Sequence, residues 1–112
     1  MALVLFAVVL RVVDGDTLIV AGKVDPFSWQ AERVRLASCD APELRELDGK
    51  RAKEFMERLF PRGTEVILIR SDGRNRGPFG RLLRDILRTD GLDACEELVK
   101  AGFGKWRKRR HR

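Results

Sequence analysis

Residues 12–20, which read VVDGDTLIV, place two aspartates around a glycine within a run of strand-forming residues. Gly and Asp are both favoured in tight turns, glycine because it tolerates positive φ angles. The stretch therefore predicts a β-hairpin whose turn is residues 14–16. Apolar residues continue on both sides, so we expect strands over residues 3–13 and 17–21.

The remaining pattern predicts further strands and two helices. Residues 32–38, ERVRLAS, alternate, which puts Val34 and Leu36 on one face and Arg35 on the other. Apolar residues at helical spacing predict a helix over residues 49–60 that ends before a proline. The other predicted features are strands over residues 65–70 and 81–88, a last helix that Asp93 caps and Gly102 ends, and a long connection over residues 22–32.

The predicted elements follow the order of three strands, a helix, two strands and a helix. This is the order of the OB-fold. The expected fold class is therefore a β-barrel with helices (α+β), a five-stranded Greek-key barrel with two packed helices. A chain of 112 residues is long enough for one such domain and too short for two.

The net charge of +6 comes from the end of the chain. Residues 105–112, KWRKRRHR, contain six of the 23 Lys and Arg residues, and the remaining 17 equal the 17 Asp and Glu residues. Such a cationic block is either solvated and disordered or an arm that binds a polyanion such as nucleic acid. The pattern alone leaves both interpretations open.

The cysteines and the apolar start of the chain argue against a zinc site, a membrane-spanning helix and a signal peptide. Cys39 and Cys95 have no metal-ligand spacing and the chain has one histidine, so a zinc site is not indicated. We expect both cysteines to be free thiols in the core. Residues 2–10, ALVLFAVVL, are too short to span a membrane and lack the charged start of a signal peptide. We interpret them as a buried first strand.

Five charged residues have the chemistry that phosphodiester hydrolysis requires: Asp16, Arg35, Asp40, Glu43 and Arg81. An anionic phosphate repels a nucleophile, so a site needs cations to spread the charge, a base for the attacking water and often a hard metal ion. Arginine suits the first task because its planar group bonds two phosphoryl oxygens at once. Each residue also has an ordinary interpretation as a turn former or a solvated charge, and spacing does not show whether the five meet.

The chain contains, in this order, the motifs VVDGDT, RVRLASCDAPE, GPFGR and ELVKAGF. Together they resemble the successive motifs of the staphylococcal nuclease-like (thermonuclease) family, over residues 8–103. The resemblance implies an OB-fold nuclease that uses Ca²⁺ to cleave DNA and RNA, preferentially single-stranded, and leaves 3′-phosphates. The alternatives are a non-catalytic nucleic-acid-binding module of the same family and a protein-interaction domain on the same fold.

The resemblance implies a set of calcium ligands. Asp16 and Asp40 match the family's metal-binding carboxylates, and Ala41 supplies its backbone carbonyl. Calcium accepts several hard oxygen ligands, including water, so two carboxylates and a carbonyl make an adequate, weak site. Asp14 is then expected to order the turn that presents Asp16.

The resemblance also implies the catalytic and substrate-binding groups. Glu43 matches the glutamate that activates or positions the attacking water, while Arg35 and Arg81 match the arginines that bind the phosphate and stabilise the pentacoordinate transition state. The chain has no tyrosine, so the family's substrate-binding tyrosines are missing. Phe79 is expected to stack on a base. The tail residues expected to contact substrate are Lys105, Arg107, Lys108, Arg109 and Arg110.

The resemblance divides the chain into a nuclease-like domain, residues 1–104, and a basic tail, residues 105–112. We expect the family's C-terminal helix to be truncated or absent. A small barrel without that helix has little stability to spare, so a homodimer is predicted. The expected partners are DNA and RNA and no membrane. The compartment is unassigned, with the cytoplasm as the default and export if a leader has been removed.

Overall fold

The computed structural model describes residues 3–25, 28–43, 45–70 and 82–107. Its elements are β1 (Leu3–Asp14), β2 (Thr17–Asp25), β3 (Ser28–Leu36), β4 (Cys39–Asp40), α1 (Leu47–Leu59), β5 (Glu65–Arg70), β6 (Leu82–Arg88), α2 (Ala94–Lys100) and β7 (Lys105–Trp106). Within these residues, five strands form a closed barrel in the order β1, β2, β3, β6, β5, and β4 pairs with β7. β3 and β6 run parallel, whereas the other barrel pairs run antiparallel. The predicted fold class, an OB-fold-like barrel with two helices, is confirmed.

Alternate residues of the strands fill the barrel interior. On β2 and β3 these include Leu18, Val20 and Val34, which are fully buried. α1 adds Met56 and α2 adds Leu98 to the same hydrophobic cluster. Burial of each such side chain stabilises the fold by about 1.5–3 kcal/mol, so this cluster holds the strands and the helices together.

The turn between β1 and β2 confirms the predicted hairpin. Its glycine is required for a different reason from the one predicted. Asp14 pairs with Thr17 across the turn. Gly15 is buried, and its φ angle is outside the left-handed region. An added Cβ would lie 2.8 Å from the Cβ of Ala41 and 2.9 Å from that of Ala52. Glycine is therefore required by the close approach of α1 and of the loop after β4.

The prediction of a long connection between the second and third strands is wrong. β2 continues to Asp25 and β3 begins at Ser28, so that Gly22 pairs with Gln30. Glycine and proline in this stretch indicated a loop, but pairing with a neighbouring strand overrides such local preferences. The two strands instead form one extended hairpin.

Both predicted helices are present in the described residues. α1 places Ala52 and Met56 in the core, as the apolar spacing predicted. At the start of α2, the side chain of Asp93 accepts a hydrogen bond from the backbone N–H of Glu96 over 3.0 Å, which confirms the predicted cap. In this part of the chain, no helix is long and apolar enough to cross a membrane.

The prediction of free cysteines is wrong, because Cys39 and Cys95 form a disulfide bond. Their Cα atoms are 5.7 Å apart, although 56 positions separate them in the sequence. β4 carries Cys39 and α2 carries Cys95, and the packing of these elements brings the two buried sulfur atoms together. Spacing along the chain could not reveal this contact. Disulfides of this kind persist in oxidising environments.

Candidate active site

The β2–β3 ladder brings two of the predicted site residues together. Asp16 lies in the turn before β2, and Arg35 is the next-to-last residue of β3. Thr17 pairs with Arg35 across the ladder, and the backbone N–H of Leu36 donates to the carbonyl of Asp16 over 2.8 Å. Because side chains alternate along a strand, Arg35 points away from the barrel interior. Its side chain therefore starts beside the turn that carries Asp16.

The guanidinium group of Arg35 joins this turn to the loop after β3. Its Nη1 donates to the carbonyl oxygens of Leu36 and Cys39 over 2.7 and 2.9 Å. Its Nη2 lies 3.4 Å from Oδ2 of Asp16 and donates a hydrogen bond to Oδ1 of Asp40. The Arg35 side chain is only 14% exposed. The two carboxylates predicted to bind a metal ion therefore meet at one nitrogen atom.

Asp16 is a buried carboxylate with fixed partners. Its Oδ2 accepts a hydrogen bond from the backbone N–H of Ala41 over 2.9 Å, and its Oδ1 accepts one from the hydroxyl of Thr17 over 3.2 Å. Burial raises the pKa of Asp16 to about 6; the Ala41 hydrogen bond opposes this rise, Asp14 adds to it and Arg35 opposes it. A strongly shifted carboxyl group that lines a cleft is a frequent mark of a functional site.

The loop that carries Asp40 is held by β6, α2 and β7. Ser38 is buried, and Asp85 of β6 accepts hydrogen bonds from its backbone N–H over 3.1 Å and from its hydroxyl over 2.7 Å. The disulfide joins Cys39 to α2, and β4 pairs with β7. Because these contacts flank Asp40, they set the position of its carboxylate beside Arg35.

An open cleft of about 560 Å³ lies beside these groups. The residues that line it are Asp14, Asp16, Arg35, Ala41, Pro42, Glu43 and Arg45. Glu43 and Arg45 are both exposed and form an ion pair, with Nε of Arg45 2.9 Å from Oε2 of Glu43. Exposed pairs of this kind contribute about 0.2–1 kcal/mol, so Glu43 can exchange Arg45 for another partner at little cost.

The other predicted site residues lie beside the cleft or outside the described residues. Asp40 is half exposed, and its Oδ2 lies 3.7 Å from Nε of Arg107. Lys105 is opposite Asp40 in the β4–β7 pair. The predicted residues outside the described ranges are Phe79, Arg81, Lys108, Arg109 and Arg110. The first residues of the predicted tail therefore pack beside the site.

The chemistry of the donor groups suits a calcium ion. Asp16, Asp40 and Ala41 offer two carboxylates and a carbonyl, which are the hard oxygen ligands that calcium prefers. One positively charged nitrogen of Arg35 contacts both carboxylates, so both can reach a common cation. Among the described residues, no cluster of three or more His, Cys, Asp or Glu side chains is arranged to hold a metal ion. Calcium accepts water beside protein oxygens, so these three oxygen donors are compatible with the ion.

Proteins of similar sequence include bacterial endonucleases. A protein of Escherichia coli O157:H7 named "Uncharacterized endonuclease" is 32% identical over 94 residues, which are 84% of this chain and 56% of that protein. A protein of Escherichia coli with the same name matches to the same extent. This chain is a relative of endonucleases. It spans about half the length of these two proteins, and no family model matches it.

Sequence reasoning did not find every residue at the candidate site of this chain. Arg45 lines the cleft two positions after Glu43, in a charged stretch where no pattern distinguishes it. Asp14 was assigned to the turn, and it also lines the cleft. Ser38 and Asp85 are 47 positions apart, so their contact exists only once the barrel has formed. Asp14 and Arg45 each lie two positions from a predicted site residue, and this short distance is the sequence signal that could have found them.

Proposed function

We propose that this protein is a calcium-dependent nuclease of the staphylococcal nuclease-like (thermonuclease) family, which hydrolyses single-stranded DNA and RNA to 3′-phosphate products. The observation that carries the proposal is the contact of Arg35 with both Asp16 and Asp40, at a cleft that Glu43 also lines. The similarity to proteins named as endonucleases supports it. The order of the sequence motifs supports the assignment to the thermonuclease family.

Each group has a defined task in the proposed reaction. Glu43 accepts a proton from the attacking water, whose oxygen forms a bond to phosphorus. Arg35 binds phosphoryl oxygens and counters the negative charge that develops in the pentacoordinate transition state. The bond from phosphorus to the 5′ oxygen breaks, and that oxygen takes up a proton to become a 5′-hydroxyl. Arg81, which lies outside the described residues, is assigned by its motif to the same phosphate and to assistance of the leaving oxygen.

The chain's own contacts prepare the proposed calcium ligands. Asp16, Asp40 and the carbonyl of Ala41 would hold the ion, which supplies positive charge to the phosphate and orients the water. Thr17 and the N–H of Ala41 fix the orientation of the Asp16 carboxylate. Groups that are oriented before the reaction need little rearrangement during it. They therefore stabilise the transition state at a small cost in reorganisation.

Cleavage of fluorescent single-stranded DNA by the full chain tests the proposal. We expect cutting with calcium and none with EDTA. We expect Glu43→Gln to lower the rate by roughly 10²–10⁴-fold, the range that general-base catalysis contributes. Glu46→Gln is the matched control, because Glu46 is exposed, close in sequence and absent from the cleft lining. It should cut at the wild-type rate.

Two results would contradict the proposal at different points. Equal rates for wild type and Glu43→Gln would remove Glu43 from the reaction. Folded protein that binds DNA with calcium but does not cut it would instead identify a non-catalytic nucleic-acid-binding module. The products supply a separate check, because the proposed bond breakage leaves 5′-hydroxyl ends that polynucleotide kinase labels without phosphatase treatment. Ends that resist this labelling would exclude the proposed bond.

A further inference from the structure

The outer face of β1, β2 and β3 carries rows of side chains that lead away from the site. Strand register defines three neighbouring rows, which are Asp14, Thr17 and Arg35; then Arg11, Ile19 and Arg33; then Val8, Ala21 and Ala31. Residues of these rows point outward because the alternate residues, such as Leu18 and Val34, fill the core. We call the middle row, Arg11, Ile19 and Arg33, the arginine row. It is adjacent to the row that contains Arg35.

The two cations of the arginine row have no acidic partner in the part of the chain that the structure describes. Arg11 and Arg33 are exposed, and Ile19 between them is half-buried. Among the described residues, no hydrogen bond or ion pair engages either arginine side chain, whereas Arg35 and Arg88 contact carboxylates. Cations that face solvent on one surface attract an anionic partner. The small side chains of the third row keep the surface beyond the arginine row flat.

The geometry of the arginine row suits the backbone of a single nucleic-acid strand. Two residues along a β-strand advance by ~6.8 Å, which is comparable with the separation of successive phosphates in an extended strand. When the scissile phosphate lies at Arg35, a neighbouring phosphate therefore lies near Arg33. Arg11 lies two strands from Arg33, at a distance of about 9.6 Å, and is within reach of a further phosphate. Ile19 offers an apolar surface to the sugar between them.

We propose that Arg33 and Arg11 bind two successive phosphates on one side of the scissile phosphate in a single-stranded substrate. The inference rests on the proposed nuclease function and names where the rest of the substrate binds. Contacts to phosphates carry no base information, so the arginine row gives affinity that grows with strand length and is independent of sequence. Its positions on barrel strands hold both cations in a fixed register with Arg35.

Binding of single-stranded DNA in the Glu43→Gln protein tests the arginine row without cleavage. Arg11→Gln/Arg33→Gln should weaken binding of a fluorescent oligonucleotide roughly tenfold, and by a similar factor for different base sequences. The slope of log affinity against log salt should become shallower by ~1.4, because each phosphate contact on a single strand contributes ~0.7. A competing dinucleotide with one phosphodiester bond should bind equally well to both proteins.

Two further variants distinguish the effect of the arginine row on DNA binding from the effect of positive charge elsewhere on the protein. Arg58→Gln/Arg62→Gln removes the same charge from exposed positions outside the cleft lining and should leave affinity and salt slope close to wild type. Arg11→Lys/Arg33→Lys keeps the charge and should keep the slope. Equal affinities for the two glutamine pairs would overturn the inference. Binding that depends on the row in a protein that never cuts would uphold it and remove the proposed nuclease function.

Discussion

Asp16 is buried, although its carboxylate is needed as an anion in the proposed reaction. Its pKa is about 6 in the folded protein, against an ordinary value of 3.8, and burial is the main cause. The folded state therefore holds the proton more tightly than the unfolded chain does, so stability falls as pH rises from 3.8 to about 6 and is level above that. One pKa unit corresponds to about 1.4 kcal/mol, so the buried charge costs on the order of 2–3 kcal/mol at neutral pH.

Asp16→Asn removes this charge and keeps an oxygen that can accept the hydrogen bond from Ala41. Without calcium at about pH 7, we expect the variant to be more stable than wild type by on the order of 2 kcal/mol. The gain should shrink toward zero near pH 3, below both pKa values, where wild-type Asp16 is protonated in the folded and in the unfolded state. Urea unfolding in EDTA at the two pH values measures both effects. A variant that is less stable than wild type at neutral pH would contradict this account.

At the scale of elements, the sequence predicted the structures that local residues decide. The β1–β2 turn, the apolar stripe of Ala52 and Met56, and the cap at Asp93 follow from nearest neighbours along the chain. The β2–β3 hairpin did not, because Gly22 indicated a loop and only pairing with β3 shows otherwise. The reason for Gly15 was also wrong, since the atoms that exclude a side chain belong to distant segments.

The disulfide between β4 and α2 makes a prediction at the same scale. It closes a loop of 56 positions, and closing a loop of this length stabilises the folded state by about 2–4 kcal/mol. Urea unfolding with and without reductant should show a decrease of this size on reduction. Cys39→Ala/Cys95→Ala is the control, since its unfolding should not respond to reductant. Equal stability of the oxidised and reduced wild type would show that the cross-link adds nothing.

At the scale of the whole molecule, the sequence motifs named four residues that line one cleft, while the roles assigned to these residues stay predictions. Asp16, Arg35, Ala41 and Glu43 line one cleft, as separate motifs on different elements suggested. The supporting contacts could not be predicted, because the bond between Ser38 and Asp85 and the disulfide depend on how the barrel and α2 pack. The motifs contain the proposed reacting groups, whereas the groups that hold them leave no fixed spacing in the chain.

The charge distribution of the whole chain predicts how substrate binding responds to salt. The net charge of +6 resides in residues 105–112. Truncation after Arg107 keeps the ion pair with Asp40 and removes four Lys and Arg residues. We expect the salt slope for single-stranded DNA to become shallower by up to ~2.8, at ~0.7 for each phosphate that the tail no longer neutralises. An unchanged slope would exclude the last residues from binding.

The contacts that hold the loop of Asp40 also fix when the site can form during synthesis. A chain is made from its N-terminus, so Asp16, Arg35 and Asp40 emerge early. Asp85, Cys95 and β7, which position the loop, follow Asp40 by more than 40 positions in the sequence. The loop therefore reaches its final position only after those segments have been made. Under the proposed function, a partly translated chain therefore lacks a completed site for its substrate.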